Sequence, residues 1–309
     1  MAKATKNRKN LFHAIKIVLT IALGFICYFQ FKTLNSSCLS VSIEWHFIPF
    51  FAMLLLMPVN YFCEWKKWKS VTHTISIDLG AKTNFQAFMA GIITGMLTPN
   101  MQGNFLGRMY YFPRRHRIPI ILLTIWSNLA QFIIAILFGL LSILVIGISY
   151  SFIENDFIHW ILLFIAISLM IFYFTFERWG FGFQRMKWFS RMRKLLKENF
   201  NFRIEQLVWG TLRYLIFSVQ FLLAFMAFGA DFSWEMYFLV FQIYLWTTLA
   251  PSLILGKLVI RESIAIWVMA SIGLDNWNVI AASLSIWIIN LLIPTLSGIV
   301  ICKQKTAEI

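Results

Sequence analysis

The stretch Leu97–Arg108 reads LTPNMQGNFLGR, and it interrupts an apolar segment where a membrane protein tolerates interruption least. Ahead of it, Phe85 to Met96 is apolar for only about a dozen residues, short of the roughly 20 helical residues that cross a hydrocarbon core. Thr98, Pro99, Asn100, Gln102, Gly103 and Asn104 follow, ending in Arg108. A looser copy stands 152 positions later: Leu249-Ala250-Pro251 followed by Gly256 and Arg261, against Leu97-Thr98-Pro99 followed by Gly103 and Arg108.

The setting is unmistakably apolar. Of 309 residues, 60% are hydrophobic, 17% aromatic and only 13% charged, beyond the apolar content of soluble domains. The amino end, MAKATKNRKN, is basic and runs straight into an apolar segment without a small-residue cleavage site, so it reads as a retained first helix. The four cysteines (Cys27, Cys38, Cys63, Cys302) form no CxxC pair and indicate neither a disulfide framework nor a zinc site. The 27 Lys+Arg exceed the 13 Asp+Glu, yet they sit in short loops between apolar runs, the pattern of cytoplasmic membrane loops and not of a nucleic-acid binder.

Charge places the crossings. Lys3, Lys6, Arg8 and Lys9 put the amino terminus in the cytoplasm, ahead of a first crossing at Leu11 to Phe31. Asn35 to Glu44 is an outside loop. A second crossing, His46 to Cys63, with Pro58 placed to kink it, returns to a basic loop of Lys66, Lys67 and Lys69, with Trp65 and Trp68 at interface depth. If Phe85 to Phe112 were an ordinary span, Arg114, Arg115 and Arg117 would lie outside, against the charge rule. A re-entrant hairpin entering and leaving on the cytoplasmic side removes the conflict, and irregular backbone survives at that depth when it is buried in protein or lines a wet cavity.

A third crossing within Pro119 to Ile148 leads to the acidic outside loop Ser149 to His159. A fourth, Trp160 to Phe176, leads to the most basic stretch, with Arg178, Arg185, Lys187, Arg191, Arg193, Lys194 and Lys197. Met186, Phe189, Met192, Leu196 and Phe200 recur there at near-helical spacing, which reads as an amphipathic helix on the anionic cytoplasmic leaflet; a partner-protein site and a solvated loop are the alternatives. The fifth crossing, Leu207 to Phe228, carries Arg213 within snorkelling reach of its cytoplasmic end. Met236 to Leu274 holds the second break, flanked by outside loops, and the last crossing, Val279 to Cys302, ends at Lys303 and Lys305.

The order is two crossings, a hairpin and a crossing, then the same again in opposite orientation. The expected fold is therefore an all-α polytopic membrane protein: a single membrane domain over 1–309, with two inverted-topology repeats at 11–148 and 160–302, a basic connector at 177–206, and about six full crossings plus two re-entrant or broken hairpins. Such repeats are common in secondary transporters, whose broken helices meet near the midplane.

With both breaks in view, the chain resembles the transmembrane region family of lysylphosphatidylglycerol synthase, flippase-like membrane proteins. In that family the first half reads N-x-x-x-P-G-x-x-G-E-x-x-R; here Thr98-Pro99 is followed by Gly103, Asn104 and Arg108. The second half reads P, then G-G-L-G-x-R-E; here Pro251 is followed by Gly256 and by Arg261-Glu262-Ser263. Asn104 stands where the family has an acid, Arg108 is displaced by one, and the second glycine cluster is thinned to Gly256. The missing acid removes a proton-coupling carboxylate from the first hairpin. The chain ends soon after the last crossing, so the resemblance implies the membrane module that moves or handles lipids, without an aminoacyl-transferase domain.

The candidate substrate-binding residues are Arg108, Arg261 and Glu262, with Pro99, Gly103, Asn104, Pro251 and Gly256 shaping the breaks. A charge at bilayer depth costs roughly 2.5–3.5 kcal/mol on insertion scales and so faces a cavity or a partner. Arg108 and Arg261 suit a lipid phosphate, because a guanidinium forms paired bonds to phosphate oxygens; a structural salt bridge such as Glu262 with Arg108 is the competing reading. Asn100, Gln102 and Asn104 suit either headgroup hydroxyls or broken backbone. Ser127, Asn128 and Gln131 make a polar stripe, and Gln220, Gln242 and Asn290 read as interhelical hydrogen bonding. Five scattered histidines give no metal site, and no P-loop, GxSxG or paired aspartates suggest catalysis.

These features point to a translocase of the cytoplasmic (inner) membrane, both termini cytoplasmic, that moves an anionic or phosphate-bearing lipid headgroup. It is expected to be no enzyme and to need no cofactor. The alternatives are a membrane enzyme on a lipid-linked substrate and an accessory subunit of a lipid-modifying synthase. Membrane lipids are the expected partners; nucleic acid is not.

Overall fold

A computed structural model describes residues 45–77, 79–96, 98, 103–147, 156–178, 187–250 and 256–302. The first crossing, the loops at Asn35 to Glu44 and Ser149 to Asn155, Pro99, Asn100, Gln102, Pro251 and the lysines after Cys302 lie outside the described residues. All regular elements among the described residues are helical: α1 (Phe47–Thr74), α2 (Ala81–Met96), α3 (Asn104–Met109), α4 (Arg114–Ile146), α5 (Asp156–Thr175), α6 (Lys187–Glu198), α7 (Phe200–Ala227), α8 (Trp234–Leu249), α9 (Gly256–Met269), α10 (Asn276–Trp287) and α11 (Ile293–Ile301). Four stretches are long and apolar enough to cross a membrane: α1, α4, α7 and the run from α10 through α11; α5 adds a shorter apolar one. The chain is a polytopic all-α membrane protein.

Antiparallel α1 and α7 form the most extensive helix pair, and a polar ladder at heptad spacing joins them. Gln206 Nε2 donates to the Lys67 carbonyl (3.0 Å), Arg213 Nε to Asn60 Oδ1 (3.2 Å) and Gln220 Nε2 to the Met53 carbonyl (3.0 Å). Seven residues are nearly two helical turns, so each rung faces the partner. Such interhelical bonds average only about 0.6 kcal/mol each in a membrane, but they fix register. Two adjacent rungs meet the last crossing, where Asn60 and Gln220 bond Asn290 (Asn60 Nδ2 to Asn290 Oδ1, 3.3 Å; Asn290 Nδ2 to Gln220 Oε1, 3.1 Å). Pro294 lacks an amide hydrogen, so the Asn290 carbonyl four residues earlier loses its helical donor. The helix passes through a π-turn there (Ile288–Leu292), and the Tyr61 hydroxyl donates to that carbonyl at 2.6 Å.

The two interruptions stand where the sequence places them. The first lies between α2 and α3, the second between α8 and α9. Each hairpin packs on the last crossing of the other half: α2 against α11, α8 against α4. A glycine permits each approach. A Cβ on Gly139 of α4 would sit 2.4 Å from Leu245 of α8, and one on Gly298 of α11 would sit 3.3 Å from Ile93 of α2. Leu245 follows Ile93 by the same 152 positions that separate Pro251 from Pro99, whereas the glycines they meet are 159 positions apart. The halves differ in length at the second arm, where α3 has 6 residues and α9 has 14.

Three local expectations are corrected. The second crossing does not stop at Cys63: α1 continues to Thr74, so the supposed basic loop is helix, Lys67 is buried and Trp68 is fully enclosed. The Trp68 indole donates to Asn84 Oδ1 at 2.6 Å inside the protein. In α6, the apolar residues Phe189, Met192 and Leu196 are buried against the protein, so this face is already occupied. Arg203, buried at the start of α7, fastens the connector by donating to Leu196 O (2.7 Å) and Phe174 O (2.9 Å), a cation satisfying helix C-terminal carbonyls.

Because the Gly139 contact is the tighter of the two, Gly139→Ala should lower the thermal unfolding midpoint of detergent-solubilised protein clearly more than Gly298→Ala. The expected loss at Gly139 is about 1–3 kcal/mol, typical of overpacking; equal midpoints for the two variants would contradict the packing described.

Candidate functional site

The first hairpin is closed by backbone contact. A Cβ on Gly107 would fall 2.1 Å from the Ala90 carbonyl oxygen, and its amide donates to Thr94 Oγ1 at 3.0 Å. Gly103, whose amide donates to Thr98 Oγ1 at 2.7 Å, leaves no room for a side chain against Thr98. Gly103 therefore shapes the turn. The consequence is that α3 is pressed onto α2, and Arg108 must leave the hairpin across its face.

Gly91 opens that route, since a Cβ there would lie 2.6 Å from Arg108 Nε. The guanidinium passes over the Trp68 ring, 4.8 Å from its centroid, and reaches Glu64 Oε1 at 3.0 Å. Glu64 is not serving Arg108 alone. Its other oxygen meets Arg213 Nη1 at 3.3 Å and Lys67 Nζ at 3.5 Å. Lys67 also donates to Gln131 Oε1 of α4 at 3.2 Å. Arg213 thus does not snorkel to the surface; it turns inward to Glu64 and Asn60.

Three cations share one carboxylate, leaving two positive charges uncompensated by it. They line a cavity of about 220 Å³ bounded by α1, α2, α3, α4, α7 and α8. Arg108 and Lys67 are buried (each 2% exposed), while the Arg213 side chain keeps 25% of its surface exposed and marks the accessible side. Arg108 Nε makes no hydrogen bond. Between α3 and α4, Asn104 and Asn128 exchange paired amide bonds, both 3.1 Å. Tyr214, Phe217, Tyr244, Thr248 and Phe132 complete the lining. Among the described residues lining it, Glu64 is the sole acid.

The sequence-derived candidates are thus divided. Arg108 and Asn104 line the cavity, and Gly103 supports them. Arg108 pairs with Glu64, not with Glu262. Arg261 turns to α10, donating from Nε to Ser283 Oγ (3.1 Å) and from Nη2 to the Ser283 carbonyl (2.7 Å), and does not line the cavity beside Arg108. Glu262 is buried one residue on. Gly256 opens α9, and Pro99 and Pro251 lie outside the described residues. Lys67 and Arg213, which charge counting assigned to a loop and to snorkelling, and Glu64, which it passed over, are functional candidates. Their signal is the spacing Asn60, Glu64, Lys67 at i, i+4, i+7, which puts all three on one face. No group of three or more His, Cys, Asp or Glu suited to a metal occurs among the described residues.

Removing one member of a buried ionic cluster strands the others, at a cost of about 3–5 kcal/mol. Glu64→Ala, which leaves three cations without their carboxylate, should therefore destabilise the solubilised protein far more than Arg213→Ala, whose side chain is partly solvated. Similar unfolding midpoints for both would show that Glu64 does not hold the cluster.

The lysylphosphatidylglycerol synthase TM region family matches residues 14–298 of the chain. Comparisons with curated proteins and with solved structures return no match. The match spans both broken hairpins, the crossings that pack on them and all the described residues of the cationic cavity, and the chain belongs to the lysylphosphatidylglycerol synthase TM region family.

Proposed function

We propose that the chain is a translocase of the cytoplasmic membrane that passes a phosphate-bearing lipid headgroup through the cavity between its halves while the acyl tails stay in the bilayer. The observation that carries this reading is the cluster of Arg108, Lys67 and Arg213 around the single carboxylate of Glu64. Bringing three cations to one buried carboxylate is costly, and a second anion offsets much of that cost. A phosphate meeting Arg213 at the exposed side would gain charge-assisted bonds and displace or share Glu64's place among the cations.

The cavity's size fits a headgroup. At about 220 Å³ it is smaller than the roughly 300–1,000 Å³ of pockets for drug-sized ligands, so a whole lipid would not enter. The reading assigns no bond-making step, cofactor or metal to the chain. It places both termini in the cytoplasm, where the exposed Arg191, Lys194 and Lys197 of α6 attract the anionic leaflet by about 1 kcal/mol each. A lipid-modifying synthase supplying the substrate is a fitting partner.

Reconstitution into vesicles with headgroup-labelled anionic lipid tests the proposal. Wild-type protein should speed flipping over empty vesicles, and Arg213→Ala should slow it about tenfold, the equivalent of ~1.4 kcal/mol. Flipping no faster than in empty vesicles, across several anionic lipids, would overturn the reading.

A further inference from the structure

The last crossing is built from two pieces that pack on different halves. Its first piece, α10, packs on α7 and α9, and Arg261 of α9 ties to it through both the hydroxyl and the carbonyl of Ser283. Its second piece, α11, packs on α2 of the first hairpin. There Gln86 Nε2 donates to the Ile301 carbonyl at 3.3 Å, and Cys302 Sγ donates to the Gln86 carbonyl at 3.5 Å. Between the pieces stands the π-turn Ile288–Leu292, and single π-turns are where long helices bend. Met96, at the end of α2, packs on Leu284 and Trp287 beside the turn, where a pivot tolerates contact.

Two consecutive residues of α1 join this turn to the cationic cavity. Arg213, the partly exposed cation of the cluster, donates from Nε to Asn60 Oδ1 at 3.2 Å, and Asn60 Nδ2 donates to Asn290 Oδ1 at 3.3 Å. Tyr61, which borders the cavity, donates its hydroxyl to the Asn290 carbonyl at 2.6 Å. Side chain and main chain of Asn290 are thus both held from α1, about one turn from Glu64. A tyrosine hydroxyl has one proton to donate. Given to Asn290, it holds the turn closed. Given to an anion in the cavity, it leaves that carbonyl without the donor that Pro294 already denies it.

We infer that the π-turn is the hinge of the protein and that Tyr61 is the positioning residue that releases it when an anion enters the cavity. Released, α11 and the first hairpin move against α10 and the second. The inference rests on the anion site of the translocase reading and concerns its control, namely how occupancy reaches the helix that joins the halves. Coupling at a distance requires an element with two arrangements that the site biases. Here the two arrangements are the Asn290 carbonyl with the Tyr61 proton and without it. A few residues absorb the change while the flanking helices stay rigid, as hinges do.

Amide hydrogen exchange of the full-length protein in maltoside micelles, with and without dihexanoyl phosphatidylglycerol, reads the hinge directly. The lipid should speed exchange at Ile288 to Leu292 by about fivefold or more. Tyr61→Phe, which keeps the ring and loses the donor, should show the faster exchange without lipid and no further response to it. Pro294→Ala returns an amide to the Asn290 carbonyl and should exchange slowly with or without lipid. In vesicles it should flip headgroup-labelled phosphatidylglycerol at least about tenfold more slowly than wild type. Its thermal protection by dihexanoyl phosphatidylglycerol should need a concentration within about twofold of wild type, a split of rate from affinity that a purely structural loss would not give. Pro294→Ala serves alone if Tyr61→Phe does not fold.

Exchange at the π-turn that ignores the lipid in wild type, or Pro294→Ala matching the flipping of active wild type, would overturn the inference. A lipid-responsive turn with no flipping by wild type upholds the coupling and sinks translocation. Flipping with an unresponsive turn does the opposite.

Discussion

Glu64 is the constraint on which the described architecture turns. One carboxylate, carried by α1, holds Arg108 of the first hairpin, Lys67 one turn further along α1, and Arg213 of α7. Without it, three cations would stand together in a setting that charges insertion of each by several kcal/mol. With it, the hairpin is tied to the central helix pair and the residual charge is positive. The cluster thus couples stability to function: the imbalance that makes the site expensive is the property that gives an anion something to bind.

The surrounding fold serves that cluster. The heptad-spaced rungs from Gln206 to Lys67, Arg213 to Asn60 and Gln220 to Met53 set the register of α1 against α7, so that Glu64 and Arg213 meet. Close backbone approach at Gly107 and the gap at Gly91 bring Arg108 across to the same point. Pro294 and the π-turn leave a carbonyl for Tyr61, one helical turn from Glu64. Each device trades regular helix geometry for a polar contact at depth, which membrane proteins do where protein or a wet cavity surrounds the backbone.

Much of the fold was legible in the sequence, because the signals were strong and local. The proline and glycine breaks after Met96 and Leu249 interrupt helices that are too short to span, and the 152-residue echo recurs in the Ile93 and Leu245 contacts. Arg108 was legible as a charge in an apolar setting. The rest was hidden by an ambiguity between amphipathic helix end and interfacial loop. Trp65, Lys66, Lys67, Trp68 and Lys69 have the composition of a membrane boundary, yet α1 continues through them and buries Lys67 and Trp68. Arg213 lay near enough to a helix end for snorkelling to explain it, and only the partner across α1 shows otherwise. The expected pairing of Arg108 with Arg261 on one phosphate required knowing which faces the hairpins present, information that spacing along the chain does not contain. Arg261 is instead bound to Ser283.

Asn104 stands where the resemblance implies an acid in the first hairpin, and a carboxylate from another helix, Glu64, meets the same hairpin's arginine. A density map of the protein in lipid nanodiscs containing anionic phospholipid tests the central claim most directly. The account predicts phosphate density in the cavity within hydrogen-bonding distance of Arg213 and at least one of Arg108 and Lys67. A well-ordered map in which that cavity is closed by apolar side chains, or lipid phosphates lie only around the outer surface, would contradict it.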